Sequence, residues 1–191
     1  MRRRLVRRGL EVWTEHGYLA GGLEAVLARE GVPKGSFYHW FASKADFGAA
    51  IIDAYGAFIA ARLERCLEDE ARSPLARIAD FVEVAARGMA KHDFRRGCLV
   101  GNLGHELSGL PEGYPEQLRA ILRDWETRLA ACLAAAREAG EIPEGADPQR
   151  LAEYFWIGWE GAVMRARLER SDAPLRNFHA GFVAGFDGYT P

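Results

Sequence analysis

The sequence predicts an all-α protein, on three observations. Ala, Leu, Arg and Glu dominate, and apolar and polar residues rarely alternate with period two. Apolar residues return instead at steps of three and four, as at Leu118, Leu122, Trp125, Leu129, Cys132 and Ala136. Glycine and proline fall at intervals suited to helices of ordinary length. A first helix over about 2–16 places Leu5, Gly9, Leu10 and Trp13 on one face and is stopped by Gly17, read as its left-handed cap. A second over 23–29 ends at Gly31. Pro33 then stands where a missing N–H has no intrahelical partner, opening a third helix over 34–41. Ser43, with Asp46 three residues on, opens a long fourth helix over 44–70. Ser73-Pro74 repeats that signal for a fifth, ending near Lys91, and a sixth covers 98–108. Gly109, Pro111, Gly113 and Pro115 form the clearest break in the chain. Beyond it runs the amphipathic seventh helix, stopped by Gly140 and Pro143. Asp147-Pro148 caps an eighth, reaching about Arg170, and a ninth over 174–186 carries Phe178, Phe182 and Phe186 at steps of four.

Composition narrows the function. The chain is 191 residues long, 49% hydrophobic and 27% charged, which suits a compact globular protein with a small module and a larger body. No apolar run approaches the ~18 residues of a membrane span, and no secretory segment is apparent, so a cytoplasmic location is expected. Cys66, Cys98 and Cys132 are odd in number and widely spaced without a CxxC, so they are expected as reduced thiols. Neither a metal nor a cofactor is expected. The net charge of -2 hides an asymmetry: residues 1–48 carry eight Lys/Arg against five Asp/Glu, while the remainder is acidic. A basic head on an acidic body suits local phosphate contact.

The second and third helices are separated by a few residues around Gly31, the spacing a helix-turn-helix needs to project its second helix into the major groove. Spacing alone fits any tight αα corner. The residue identities carry more: Gly17-Tyr18, then GVPKGSFYHWFASK from Gly31 to Lys44. This pattern resembles the N-terminal signature of the TetR/AcrR family of transcriptional regulators over about residues 5–50. The resemblance implies a DNA-binding domain over 1–46 and a ligand-binding and dimerisation domain over 47–191. It also implies that Lys34, Gly35, Ser36, Tyr38 and His39 face DNA, with Tyr38 and Lys44 on phosphates. The chemistry agrees, since Gly35 permits close backbone approach, Lys34 offers a cation and the Tyr38 hydroxyl can donate to a phosphate oxygen. Phe37, Trp40 and Phe41 read as packing. Gly21-Gly22 stands where the family usually caps the second helix with Thr or Ser, so affinity is open to being shifted onto Arg2, Arg3, Arg4, Arg7 and Arg8; a merely solvated basic face is the other reading.

For the body, the resemblance implies a helical bundle in which a small molecule displaces the paired reading heads, as a repressor or, in some members, an activator. Trp125, Tyr154, Phe155, Trp156 and Trp159 give an aromatic density that either lines a pocket or fills a core, with Phe155 and Trp159 sharing a face. The segment RRGCLVGNLGHEL, residues 95–107, resembles a TetR subgroup that includes repressors responsive to N-ethylmaleimide-like electrophiles. Cys98 at a helix start beside Arg95 and Arg96 is then either a reactive sensor or a small buried thiol. Asn102 joins the candidate pocket, and His105 and Glu106 are each either a polar pocket group or an ordinary exposed position. A homodimer is expected, because one reading head contacts few bases and Phe178, Phe182 and Phe186 would leave an apolar patch on a monomer. An intramolecular core is the competing explanation for that patch. The alternatives to a regulator are an all-α enzyme, or an interaction module, using the His105/Glu106 region. No helical HxxxH or ExxH pair and no P-loop supports the enzyme, and an interaction module leaves the basic head unexplained.

Overall fold

The computed structural model describes residues 1–186. Among them are nine α-helices and no strand: α1 Arg2–Ala20, α2 Leu23–Glu30, α3 Lys34–Phe37, α4 Lys44–Leu67, α5 Pro74–Ala90, α6 Leu99–Gly104, α7 Tyr114–Glu138, α8 Pro148–Glu169 and α9 Ala173–Ala184, with a short 3-10 helix at Leu107–Gly109. The all-α expectation holds. No helix among the described residues is long and apolar enough to cross a membrane.

The chain divides into two compact units, residues 1–58 with 96–121, and residues 59–95 with 122 onward. In the first unit, Leu5, Val12, Trp13, Val26, Leu27, Phe37, Phe41, Phe47, Ile51, Leu99 and Leu103 form the core. The crossing of α1 on α4 is close because Gly9 carries no side chain: a Cβ there would fall 2.3 Å from Ile51 Cδ1 and 2.9 Å from the Phe47 ring. Gly17 breaks α1 as expected. Its conformation (φ 79°, ψ -172°) is a positive-φ one open essentially to glycine alone, but not the left-handed helical cap foreseen, and the chain resumes as a single further turn, in which Gly21 N–H donates to Gly17 O at 3.2 Å. The Trp13 indole N–H, buried, donates to Gly21 O at 2.8 Å and ties that turn back to the helix before the break.

In the second unit an aromatic cluster joins α5, α7, α8 and α9. Trp125 and Trp156 lie 4.9 Å apart, Phe155 and Trp159 stack at 5.7 Å and 12°, and Phe81 sits 5.3 Å from Trp159. α8 begins where expected: Pro148 occupies its first turn and the Asp147 carboxylate accepts from Gln149 N–H and Arg150 N–H. Phe178 seats against Gly158, whose Cβ, if present, would lie 2.2 Å from the phenyl ring. Phe182 is buried against Phe155, and Phe186 is buried against Phe182. The exposed phenylalanine patch expected from the sequence is therefore corrected. A step of four marks an apolar face but not its partner, and here the partner of Phe178 and Phe182 is α8 of the same chain.

Candidate nucleic-acid interface

The corner between α2 and α3 is built by Gly31, which adopts the left-handed conformation (φ 65°, ψ 29°). Gly31 N–H donates to Ala28 O at 3.3 Å and Val32 N–H to Leu27 O at 3.0 Å, closing α2. Pro33 follows in an extended conformation as the N-cap of α3. α3 is only four residues long, and the expected helix over 34–41 continues as turns in which Trp40 N–H and Phe41 N–H both donate to Phe37 O. Tyr38, His39 and Trp40 have modest helix propensity, and the segment takes its shape from its anchors instead. Phe37 stacks on Phe41 (5.4 Å, 25°) and meets Phe47 edge-on at 5.4 Å, all three rings buried.

Around those anchors the polar residues point outward. Lys34, Gly35 and His39 are exposed, Ser36 is half-buried and Tyr38 is 55% exposed. Trp40, expected to pack, is 43% exposed, as part of the turn over 38–40 that also exposes Tyr38. The Lys34 ammonium pairs with Glu24 at 3.1 Å, both groups being open to solvent. Ser43 Oγ accepts from Asp46 N–H at 3.0 Å and the Asp46 carboxylate accepts from Ala42 N–H at 3.0 Å, the capping arrangement foreseen for α4. Lys44, at the start of α4, holds its ammonium 4.1 Å from the centre of the Tyr18 ring.

The N-terminal arginines are more committed than their sequence suggests. Arg4 and Arg8 both pair with Glu30 at 2.9 Å, Arg8 also pairs with Glu11, and the Arg2 guanidinium lies 4.9 Å over the Phe41 ring. Arg3 and Arg7 remain exposed. The Glu30 side chain is 3% exposed, and the Arg8 hydrogen bond, reinforced by Arg4, holds its carboxyl below the ordinary 4.5. A carboxyl depressed on folding contributes stability above its unfolded value and loses it as pH falls through the folded one. Thermal melts from about pH 7 to pH 3 are therefore expected to show a steeper acid decline for the native chain than for Glu30→Gln, the two converging at the acid end. Parallel melting curves would contradict this.

The residues expected from sequence to line one pocket divide between the two units. Cys98, Asn102 and His105 belong to the first unit, and Trp125, Phe155 and Trp159 to the second. Asn102 donates its amide to Trp13 O and Thr14 O, both at 3.0 Å, and His105 is exposed. The Thr14 partner of Asn102 lies 88 residues away in α1, beyond the reach of a local motif. Cys66, Cys98 and Cys132 are buried thiols outside any disulfide among the described residues. Burial pushes the Cys132 thiol up to about 11 and the Cys66 thiol upward as well. Trp125, Phe155 and Trp159 are all buried, and the neighbouring Trp156 keeps its indole N–H buried without a hydrogen-bond partner among the described residues.

The comparisons with known proteins agree with this architecture. The family described as "Bacterial regulatory proteins, tetR family" matches residues 5–51, and that described as "Tetracyclin repressor-like, C-terminal domain" matches residues 74–182. The chain is 48% identical over 182 residues to the transcriptional regulator AcuR of Cereibacter sphaeroides, covering 95% of this chain and 83% of the relative. It is 30% identical over 178 residues to the HTH-type transcriptional repressor DhaR of Mycobacterium sp., covering 93% and 88%. Among solved structures, regulatory protein TetR from Rhodobacter sphaeroides matches with a TM-score of 0.93 at 47% identity over 96% of this chain and 97% of that one. The reduced form of Escherichia coli NemR matches with a TM-score of 0.85 at 29% identity, over 95% and 94%. The turn at Gly31, the outward-facing residues of α3 and these matches across both halves of the chain together mean that it belongs to the TetR family of DNA-binding transcriptional regulators.

Proposed function

We propose that the chain is a cytoplasmic homodimeric repressor that holds a palindromic operator through residues 1–46 and leaves it when a small molecule enters residues 47–191. The observation that carries the reading head is Gly35. Its backbone needs no left-handed conformation, and a Cβ there would meet no atom of the chain within 4 Å, so nothing internal requires glycine at this position. Close approach of a phosphate backbone does. Lys34, Ser36, Tyr38 and His39 surround it, and Lys44 supplies a further cation for phosphate. The solvent-exposed Lys34–Glu24 pair opposes this little, since exposed ion pairs contribute ~0–1 kcal/mol.

The effector is read as a small molecule that brings a hydrogen-bond acceptor to the aromatic interior of the second unit. A buried N–H without a partner costs about 1–3 kcal/mol, and the Trp156 indole, beside Trp125 and Phe81, is such a group. Burial of Cys98 favours a structural thiol there over an electrophile sensor.

The dimer surface is assigned to α8. Tyr154, Ile157, Gly161, Met164 and Leu168 recur at steps of three and four, Ile157 and Leu168 being 76% and 79% exposed, while Cβ atoms at Gly161 and Gly181 would meet open space. An apolar stripe of this size on a monomer marks an interface, and a two-headed reader of a palindrome requires a second copy. Footprinting and gel shift on DNA upstream of the chain's own gene test the proposal. The expected result is a palindromic footprint bound by a dimer, with Ile157→Glu running as a monomer in light scattering and losing the site. A non-palindromic footprint, or full affinity in a monomeric variant, would overturn it.

A further inference from the structure

Helix α1 is broken at Gly17, and a break leaves carbonyls unsatisfied on one side and N–H groups on the other. Both sets are taken up by one short segment of distant sequence. On the upstream side, the Asn102 amide donates to Trp13 O and Thr14 O at 3.0 Å, and Gly97 N–H donates to Thr14 O at 2.9 Å. On the downstream side, the Glu106 carboxylate accepts from Tyr18 N–H at 2.7 Å and Leu19 N–H at 3.1 Å. The fit is tight, since a Cβ on Gly17 would fall 2.3 Å from Glu106 Oε1. Tyr18, whose backbone Glu106 grips, has a buried ring set edge-on between Trp13 (5.0 Å) and Tyr114 (5.9 Å). Lys44 rests its ammonium on that same ring. Tyr114 in turn donates its hydroxyl to Ala45 O at 2.8 Å, next to Lys44 in α4.

We infer that Glu106, with Asn102, is a positioning residue for operator binding: it splices the Gly17 break, holds Tyr18 in place, and so sets the Lys44 ammonium where a phosphate can take it. Neither residue touches DNA. A carboxylate is suited to the role because two N–H groups and the positive end of a helical turn converge on it. The inference rests on the reading of Lys44 as a phosphate-binding group.

The test is a double-mutant cycle, read as affinity for the footprinted duplex against salt concentration. Lys44→Ala is expected to weaken binding and to flatten the salt dependence by about 0.9 in log–log slope for each phosphate left without its cation. Glu106→Ala is expected to weaken binding about five- to tenfold, as removal of a strong cap would, and to flatten the slope by the same amount. The double variant then binds no more weakly than Lys44→Ala alone. Glu106→Gln keeps the shape and an acceptor oxygen, so it recovers most of the affinity. Should Glu106→Ala not fold, Asn102→Ala, which removes the donor to Trp13 O and Thr14 O, carries the same cycle. A Glu106→Ala protein with the native salt slope, or a double variant showing the product of the two single effects, overturns the positioning role while leaving the reading head standing. A Lys44→Ala protein that binds as the native chain does overturns both.

Discussion

Tyr38→Ala and Lys44→Ala are each expected to reduce operator affinity by about 10- to 100-fold while leaving the fold intact. Each removes a hydrogen bond to a charged phosphate, about 1.5–3 kcal/mol, and every ~1.4 kcal/mol is tenfold in affinity. The fold survives because Tyr38 is exposed and touches the core only edge-on at Phe37, 5.3 Å away, while Lys44 gives up a single cation–π interaction. The two effects are distinguished by their controls. Tyr38→Phe separates the hydroxyl from the ring, and Lys44→Ala lowers the salt dependence, since binding to a phosphate is electrostatic and carries no sequence information. Fluorescence anisotropy on the footprinted duplex, at several salt concentrations and beside circular dichroism, reads all of this. Native affinity in both variants would remove residues 34–44 from the interface.

Phe37→Ala is expected to destabilise the first unit by about 3–5 kcal/mol, and operator binding should fail with it. That magnitude is a large fraction of the ~5–15 kcal/mol that holds an ordinary domain. The reason lies in the length of α3. Four residues are far below what a helix needs to persist alone, so this segment keeps its conformation only through packing. Phe37 is fully buried and touches the rings of Tyr38, Phe41 and Phe47. Truncating it leaves a cavity under the surface proposed to meet DNA. Urea unfolding followed at the head should show the destabilisation, and Phe37→Leu, which refills part of the space, should cost less. A Phe37→Ala protein with native stability would show that α3 is held by something other than this ring cluster.

Much of this protein was legible along the chain because the signals are local. Helix starts at Ser43 and Asp147, stops at Gly17, Gly31 and Gly140, and the ordered residues from Gly31 to Lys44 all depend on neighbours a few positions away. A cap or a left-handed glycine acts within one turn, so sequence order is enough to find it. Periodicity likewise told that Phe178, Phe182 and Phe186 share a face. It could not tell what covers that face, and the answer, α8 of the same chain, moved the exposed apolar stripe to Tyr154, Ile157, Met164 and Leu168.

The site followed the same division. Sequence order by itself singled out residues 31–44 as the proposed reading head. Only the tertiary structure decided that Arg4 and Arg8 are engaged by Glu30, that Trp40 faces outward, and that Asn102 and Glu106 bind the broken ends of α1. Those hydrogen-bonded partners lie between 22 and 89 residues apart. A hydrogen bond or ion pair forms wherever the packing of apolar faces brings its groups within reach, and that packing belongs to the whole folded chain.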